Sequence, residues 1–212
     1  MTTKHSLQGL YLITNEDDFV VLRPKLETAM KAGIALLQYR RKKTPKSHQE
    51  QEARDILELC NQYHVPFIIN DDLVLAEKLS CGLHLGQGDG SLIEARDRLG
   101  ADAIIGRTCH DSLELAKQAA DEGASYLAFG AVFPSTTKPN ARLVSLETLA
   151  AASQQFELPI CAIGGLTPEN SERVKATGVS LFAVVSDILD LSISATPARI
   201  KLWQNSISPC IT

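Results

Sequence analysis

The sequence lacks the features that mark membrane, secreted and nucleic-acid-binding proteins. No apolar run approaches the ~18 residues of a membrane-spanning helix. The net charge of −4 is not the basic excess that a general nucleic-acid-binding protein needs to neutralise phosphates. The polar residues 1–6 do not follow the basic and then apolar layout of a secretory signal. We therefore expect neither a membrane nor a nucleic acid among the partners.

The cysteines are too few and too scattered for a disulfide framework or a zinc knuckle. Their number is odd and no two lie two or three residues apart. This pattern predicts buried, reduced thiols in a cytoplasmic protein. A nucleophilic Cys109 is the alternative, although its neighbour His110 would point to the opposite face of a strand. The cysteines are Cys60, Cys81, Cys109, Cys161 and Cys210.

The sequence does contain one repeating pattern of strand-like and helix-like segments. The composition, 44% hydrophobic and 22% charged, is that of a globular protein. Short apolar runs with β-branched residues alternate with stretches of helical period. The runs predict eight strands: Gly9 to Thr14, Leu36 to Arg40, Pro66 to Asn70, Gly82 to Leu85, Ala103 to Arg107, Tyr126 to Gly130, Ile160 to Gly164 and Leu181 to Val185.

Eight strand–helix units in about 200 residues indicate a (β/α)₈ TIM barrel. Strands that are apolar on both faces and alternate with helices predict a parallel sheet with right-handed crossovers. We find no linker or composition shift, so residues 1–212 are predicted to form a single domain. The alternative is an open doubly wound sheet, which the lack of a Gly-x-Gly-x-x-Gly after the first strand disfavours.

Residues that could take part in binding or catalysis lie where the predicted strands end, which is the face where barrel active sites form. Arg40, Lys42 and Lys138 carry positive charge suited to phosphate oxygens. Asp71 and Asp89 are hard oxygen donors suited to Mg²⁺. The remaining residues in this set are Gln38, Tyr39, Arg41, Asn70, Thr108, Ser135, Thr136, Thr137, Gly165 and Ser186.

This combination predicts two phosphorylated substrates, one of them a diphosphate held with Mg²⁺. Gly165 and Ser186 precede helical segments after strands seven and eight, where barrels commonly bind a phosphate. No Ser-His-Asp or Cys-His pairing is recognisable, and His84 is expected to be structural.

Over nearly its whole length the chain resembles the thiamine-phosphate synthase family. The resemblance rests on the order and spacing of five stretches: 38–42 (QYRRK), 69–72 (INDD), 84–89 (HLGQGD), 137–139 (TKP) and 162–165 (AIGG). It implies a TIM-barrel transferase of thiamine biosynthesis. Such an enzyme uses Mg²⁺ to condense a hydroxymethylpyrimidine diphosphate with a hydroxyethylthiazole phosphate, through a pyrimidine cation.

The resemblance also implies a role for each residue at the strand ends. Lys138, Thr108 and Arg40 would be catalytic, and Asp71 and Asp89 would bind the metal. The pyrimidine diphosphate would be held by Gln38, Tyr39, Arg40, Arg41, Lys42, Asn70, Thr108 and Lys138. The thiazole phosphate would be held by Ser135, Thr136, Thr137, Gly165, Val185 and Ser186. Arg107 is a charge to which the resemblance gives no role, and a homodimer stays open.

Two alternatives remain on the sequence. A related thiazole tautomerase shares the barrel and the phosphate site, but would lack the Asn-Asp-Asp and Thr-Lys elements that this chain has. A non-catalytic barrel that only binds a phosphorylated ligand is disfavoured because Asp71, Asp89 and Lys138 are all present.

Overall fold

The computed structural model describes residues 7–134 and 143–208. Its eight strands are parallel and pair in chain order, and β8 closes the ring against β1. This confirms the TIM barrel and rules out the open sheet. The strands are β1 Gly9–Ile13, β2 Leu36–Tyr39, β3 Phe67–Asn70, β4 Gly82–Leu85, β5 Ile105–His110, β6 Tyr126–Gly130, β7 Ile160–Ile163 and β8 Leu181–Val184.

Helices follow the strands around the outside of the barrel. Their starts match local signals in the sequence: Ser112 caps α5 by accepting a hydrogen bond from the Leu115 amide, and Pro168 is the first residue of α7. The helices of the described residues are α1 Phe19–Ala32, α2 Lys46–Tyr63, α3 Leu73–Leu79, α4 Leu92–Leu99, α5 Leu113–Asp121, α6 Leu146–Gln155, α7 Pro168–Lys175, α8 Ser186–Leu189 and α9 Thr196–Ile207.

One strand, β5, differs from its predicted bounds by more than one residue, while the other seven agree with the prediction to within one residue at each end. β5 begins at Ile105 and runs on to His110, so that Thr108 lies within the strand and not after it. The extension follows from tertiary pairing, because β5 stays paired with β6 as far as Phe129, although the register shifts between Thr108 and His110. That pairing partner is invisible to a local reading of the sequence.

Two apolar cores lie on opposite faces of the sheet, as the period of two along each strand requires. Tyr11 and Ile13 point into the barrel, while Leu10 and Leu12 pack against the helices. The inner core is small and contains Tyr126, whereas the outer core extends around the barrel. The parity of a strand position therefore decides whether its side chain reaches the inside of the barrel.

The described cysteines are free thiols, as predicted, and Cys210 lies outside the described residues. Cys60, Cys109 and Cys161 are buried as predicted, whereas Cys81 is only partly buried. Burial raises the pKa of the Cys109 thiol to about 12, whereas the neighbouring His110 is exposed. Such an environment is that of an inert structural cysteine and disfavours a nucleophilic Cys109.

Within residues 7–134 and 143–208, no helix is both long enough and apolar enough to span a membrane.

Candidate active site

The carboxyl ends of β2 to β5 direct four polar side chains into the mouth of the barrel. Each has the inward parity of its strand: Gln38 pairs with Ile68 of the inner core, and Asn70 pairs with His84. Gln38 and His84 are buried, while Asn70 and Thr108 are half-buried. The structure thus gathers Gln38, Asn70, His84 and Thr108 at one end of the barrel.

Arg40 continues the inward parity of Gln38. Its backbone is fixed by Thr14, whose hydroxyl accepts a hydrogen bond from the Arg40 amide (2.8 Å) and donates one to the Arg40 carbonyl (3.1 Å). The guanidinium of Arg40 makes no hydrogen bond or ion pair with any residue in the described part of the chain. Its charge is close enough to His84 to lower the pKa of that imidazole. Arg40 is therefore a cation at the mouth, available to an anionic ligand.

Tyr39 and Arg41 have the opposite parity and face the helices. The Tyr39 hydroxyl donates to Glu52 Oε2 on α2 (2.8 Å), and Arg41 Nε donates to the same oxygen (2.9 Å). Arg41 also donates to the carbonyls of Asn15 and Asp17. Both residues are buried, and their polar groups are hydrogen-bonded to Glu52. Their side chains therefore lie on the other face of the sheet from Gln38 and Arg40.

A cation and a carboxylate meet just beyond β2 and β3. Lys42 Nζ lies 2.9 Å from Asp71 Oδ2, and both side chains are partly open to solvent. Asp71 adopts φ 64°, a left-handed backbone that is uncommon outside glycine and best tolerated by Asn and Asp. Such conformations concentrate at functional sites. The neighbouring Asp72 instead caps α3 by accepting from the Leu75 amide (3.0 Å).

Asp89 projects from the loop between β4 and α4 and is exposed. A side chain at Gly86 would place its Cβ 2.3 Å from Asp89 Oδ2, so the glycine leaves room for the carboxylate. Arg107 donates to the carbonyls of Gly90 (3.0 Å) and Gln87 (3.4 Å). Arg107, which the sequence left without a role, therefore ties the Asp89 loop to β5.

The predicted metal ligands fit Mg²⁺ by the chemistry of their donors. Among the described residues no group of three or more His, Cys, Asp or Glu side chains could hold a metal. Two carboxylates are nevertheless the usual protein contribution to Mg²⁺, which completes its shell with water and substrate phosphates. The donor types of Asp71 and Asp89 are therefore compatible with Mg²⁺.

His84 is buried and neutral. Burial, reinforced by the Arg107 and Arg40 charges against an opposing effect of Asp71, lowers the pKa of His84 to about 4. Its ring nitrogens bond to Tyr126 Oη (2.8 Å) and Thr108 Oγ1 (2.9 Å). His84 was expected to be structural, and its contact with Thr108 was not predicted. Tyr126 and Tyr11 were missed as well, although their inward parity was a readable signal.

The predicted phosphate site is described only in part. Gly165 and Ser186 follow β7 and β8, and Ser186 is the first residue of α8. Gly165 has φ 62°, and a Cβ there would lie 2.6 Å from the Pro134 carbonyl oxygen. Because the Cβ would clash with a backbone atom of the adjoining loop, any residue larger than glycine at position 165 would force the backbone to move. Ser135, Thr136, Thr137 and Lys138 lie outside the described residues.

Arg199 on α9 links the helices that follow Gly165 and Ser186. It donates to Glu169 at the start of α7 (Nη1 to Oε1, 2.6 Å) and to Asp187 in α8 (Nε to Oδ2, 3.1 Å). Trp203 Nε1 also donates to Asp187 (2.7 Å). This cluster holds α7, α8 and α9 together, and no local signal in the sequence predicts it.

This cluster predicts an acid-dependent stability. Hydrogen bonds from Arg199, then from its own backbone amide and from Thr167, lower the pKa of Glu169 to about 2 from an ordinary 4.5. A depressed folded-state pKa stabilises the protein above the ordinary value, and the stabilisation is lost as the pH falls toward 2. We expect Glu169→Gln to lower Tm slightly at pH 7, with a difference from wild type that vanishes on acidification.

Thermal unfolding at a series of pH values measures this difference. Glu172→Gln is the matched control, since Glu172 is an exposed carboxylate on the same helix. It should leave the pH profile of Tm unchanged. A Glu169→Gln difference that stays constant from neutral pH to about pH 2 would contradict the assignment.

The comparisons with known proteins agree with this geometry. The family model for thiamine monophosphate synthase matches residues 10–188. Thiamine phosphate pyrophosphorylase from Pyrococcus furiosus superposes with a TM-score of 0.85 at 26% identity, over 100% of both chains. The pyrophosphorylase from Bacteroides thetaiotaomicron gives 0.69 at 20% identity, over 93% of this chain and 96% of that one.

A structure of lower identity shows how widely the architecture is shared. A geranylgeranylglyceryl phosphate synthase from Thermoplasma acidophilum, in complex with sn-glycerol-1-phosphate, gives a TM-score of 0.69 at 17% identity over 98% of both chains. This likeness concerns the fold alone. The match to the family model spans most of the sequence and includes the described residues at the barrel mouth, so the chain belongs to the thiamine monophosphate synthase family.

Proposed function

We propose that the protein condenses 4-amino-2-methyl-5-(diphosphooxymethyl)pyrimidine with 4-methyl-5-(2-phosphooxyethyl)thiazole, giving thiamine phosphate and diphosphate. The observation that carries the proposal is the pairing of Lys42 with Asp71 at 2.9 Å. It sets a cation for phosphate oxygens beside a carboxylate suited to Mg²⁺, at the end of the barrel where the inward-facing polar residues meet. A diphosphate with its metal needs both kinds of group in one place.

On the pyrimidine side, the residues divide by what they offer. Arg40 and Lys42 supply positive charge, and Thr108 supplies a hydroxyl. Gln38 and Asn70 supply amides that can hold a heteroaromatic ring or a phosphate oxygen. Lys138 is proposed as a further cation for the leaving diphosphate, on its place in the sequence alone. Tyr39 and Arg41 hold the β2 segment in place through Glu52.

The proposed reaction is dissociative. The aminopyrimidine expels diphosphate to form a stabilised cation, which the thiazole nitrogen captures. Such a step needs stabilisation of the leaving group and positioning of the partners, more than a strong base. Asp71 and Asp89 would hold Mg²⁺, which when bound neutralises charge on the departing diphosphate. The neutral state of His84 and the buried Cys109 fit a site without a nucleophile.

On the thiazole side, Gly165, Val185 and Ser186 are proposed to bind the phosphate, with Ser135, Thr136 and Thr137 added from the sequence. The first amides of a helix lack intrahelical acceptors. The Ser186 hydroxyl makes no hydrogen bond to another described residue, and it stands at the start of α8. These groups are donors suited to a phosphate monoester.

Ser186→Ala should raise KM for the thiazole phosphate several-fold, by loss of about one hydrogen bond to a charged group, with KM for the pyrimidine diphosphate unchanged. Steady-state kinetics with each substrate varied in turn measures the split. Ser192→Ala is the control, since Ser192 is exposed beyond the end of α8. If Ser186→Ala raised KM for the pyrimidine diphosphate alone, Ser186 would belong to the pyrimidine site and not to the thiazole site.

The proposal is tested by incubating the protein with both substrates and Mg²⁺ and following thiamine phosphate and diphosphate. Formation of both products, dependent on Mg²⁺, is the expected result. Isomerisation of the thiazole without condensation would support the tautomerase instead. Binding of either phosphate without turnover would support a non-catalytic barrel.

A further inference from the structure

A continuous row of hydrogen-bonded side chains crosses the inside of the barrel. Gln38 Nε2 lies 2.6 Å from Tyr11 Oη, and the two phenol oxygens of Tyr11 and Tyr126 are 2.8 Å apart. Tyr126 Oη lies 2.8 Å from His84 Nδ1, and His84 Nε2 lies 2.9 Å from Thr108 Oγ1. We call these five residues the interior row. Its two ends, Gln38 and Thr108, are both residues proposed to meet the pyrimidine diphosphate.

Packing holds the middle of the interior row in one arrangement. The rings of Tyr11 and Tyr126 meet edge to face, with centroids 5.8 Å apart and planes at 85°, and both residues are almost fully buried. The His84 ring stacks near Tyr126, with centroids 5.6 Å apart. A Cβ at Gly106 would lie 2.0 Å from the Tyr126 ring, so a glycine in β5 is what admits the phenol. The phenol oxygens are therefore held where the hydrogen bonds require them.

Counting hydrogens gives the interior row a direction. The Gln38 amide nitrogen has hydrogens and no lone pair to offer, so it donates to Tyr11. The single hydroxyl hydrogen of Tyr11 then goes to Tyr126 Oη, and the hydrogen of Tyr126 goes to His84 Nδ1. Burial raises the pKa of both phenols, so both keep their hydrogens.

The same count continues through the imidazole to Thr108. A neutral imidazole that accepts at Nδ1 carries its hydrogen on Nε2. His84 therefore donates to Thr108 Oγ1. The hydroxyl of Thr108, already accepting one hydrogen bond, keeps its own hydrogen for a group outside the interior row. In the reverse direction Thr108 would give its hydrogen to His84 and present only lone pairs to the mouth.

We propose that Tyr126 is a positioning residue that selects the Nε2–H tautomer of His84 and so turns the Thr108 hydroxyl into a hydrogen-bond donor for the substrate diphosphate. Tyr126 acts through His84 and does not itself reach the mouth. A donor aimed at an oxygen that gains negative charge as the C–O bond breaks strengthens in the transition state, whereas lone pairs there would repel it. The inference about the diphosphate rests on the proposed function.

The direction of the interior row can be measured without any turnover. The two ring nitrogens of a neutral histidine differ in ¹⁵N chemical shift according to which one carries the hydrogen. We expect the His84 ring of the wild-type protein, assigned through contacts with the protons of Tyr126 and Thr108, to be protonated on Nε2. In Tyr126→Phe the donor to Nδ1 is gone, and the shifts should move toward a mixture of tautomers. Protonation of Nδ1 in the wild type would overturn the proposal.

Steady-state kinetics then tests whether the His84 tautomer affects kcat by way of the Thr108 hydroxyl. Tyr126→Phe should lower kcat about tenfold or more, the loss typical of removing an outer partner that orients an active-site group. KM for the thiazole phosphate should not change. In a Thr108→Val background, adding Tyr126→Phe should change kcat by less than twofold, because the group it orients is already absent. Tyr63→Phe removes a hydroxyl bonded to Glu27 on the outer surface and should leave kcat unchanged.

The outcomes separate this inference from the proposed function. An additive loss in the double variant would show that Tyr126 acts on folding or elsewhere in the site, and would overturn the positioning role. A protein that makes no thiamine phosphate would overturn the proposed function. The ¹⁵N shifts of His84 would still decide the direction of the interior row in that case.

Discussion

Asp71→Asn is expected to lower kcat by about 10²-fold or more and to raise the Mg²⁺ concentration needed for half-maximal activity, while the barrel stays folded. The magnitude is that of removing one electrostatic contributor to a charged transition state. Asn is the informative replacement, because Asp71 has φ 64° and Asn tolerates this left-handed backbone better than Ala. The change therefore removes the charge beside Lys42 without adding backbone strain. Activity titrated against Mg²⁺, with circular dichroism for the fold, measures both effects.

Asp72→Asn is the matched control on the next residue. Asp72 caps α3 through the Leu75 amide, and Asn is an equally good N-cap, so stability and Mg²⁺ dependence should both stay near those of the wild type. If Asp71→Asn kept the wild-type kcat and Mg²⁺ requirement, Asp71 would leave the metal site. Its ion pair with Lys42 would then be a surface pair of small energetic value.

Arg40→Ala is the second large effect we expect, with kcat/KM for the pyrimidine diphosphate lowered by about 10²–10³-fold. Arg40 is half-buried, and its charge is close enough to His84 to lower the pKa of that imidazole. The guanidinium has no partner in the described part of the chain. Removing it takes charge from the leaving-group side and costs little stability. Arg40→Lys should restore only part of the rate, since a point charge replaces a two-pronged donor.

Arg41→Ala makes the neighbouring residue a control with the opposite behaviour. Arg41 and Glu52 form a buried ion pair, with side chains 6% and 12% exposed, and removal of one partner of such a pair costs about 3–5 kcal/mol of stability. The folded variant should keep the wild-type KM for the pyrimidine diphosphate. Urea unfolding and steady-state kinetics separate the two arginines. A normal kcat/KM in Arg40→Ala together with a raised KM in Arg41→Ala would reverse the assignment.

The barrel and the end of the barrel that carries the site could be read from the sequence. Apolar runs separated by helical stretches predict parallel strands, and in this fold polar residues at strand ends meet at one rim. The period of two would also have separated Arg40 from Tyr39 and Arg41. Within residues 38–42, alternate side chains point to opposite faces of the sheet. The same rule points Tyr11 and Tyr126 inward, although nothing local to either residue predicts that their hydroxyls meet.

What the sequence by itself determined is the order of the elements, the closed barrel and the set of polar groups at its mouth, because these follow from local periodicity and from the limited ways of burying a parallel sheet. Only the tertiary structure decided that Glu52 engages Tyr39 and Arg41, that Arg107 holds the Asp89 loop and that Arg199 joins α7, α8 and α9. It also decided that Thr108 bonds to His84. Each of these contacts joins residues on different elements. A hydrogen bond or ion pair depends on a few ångströms of separation and on direction, which the packing of those elements sets and local sequence does not encode.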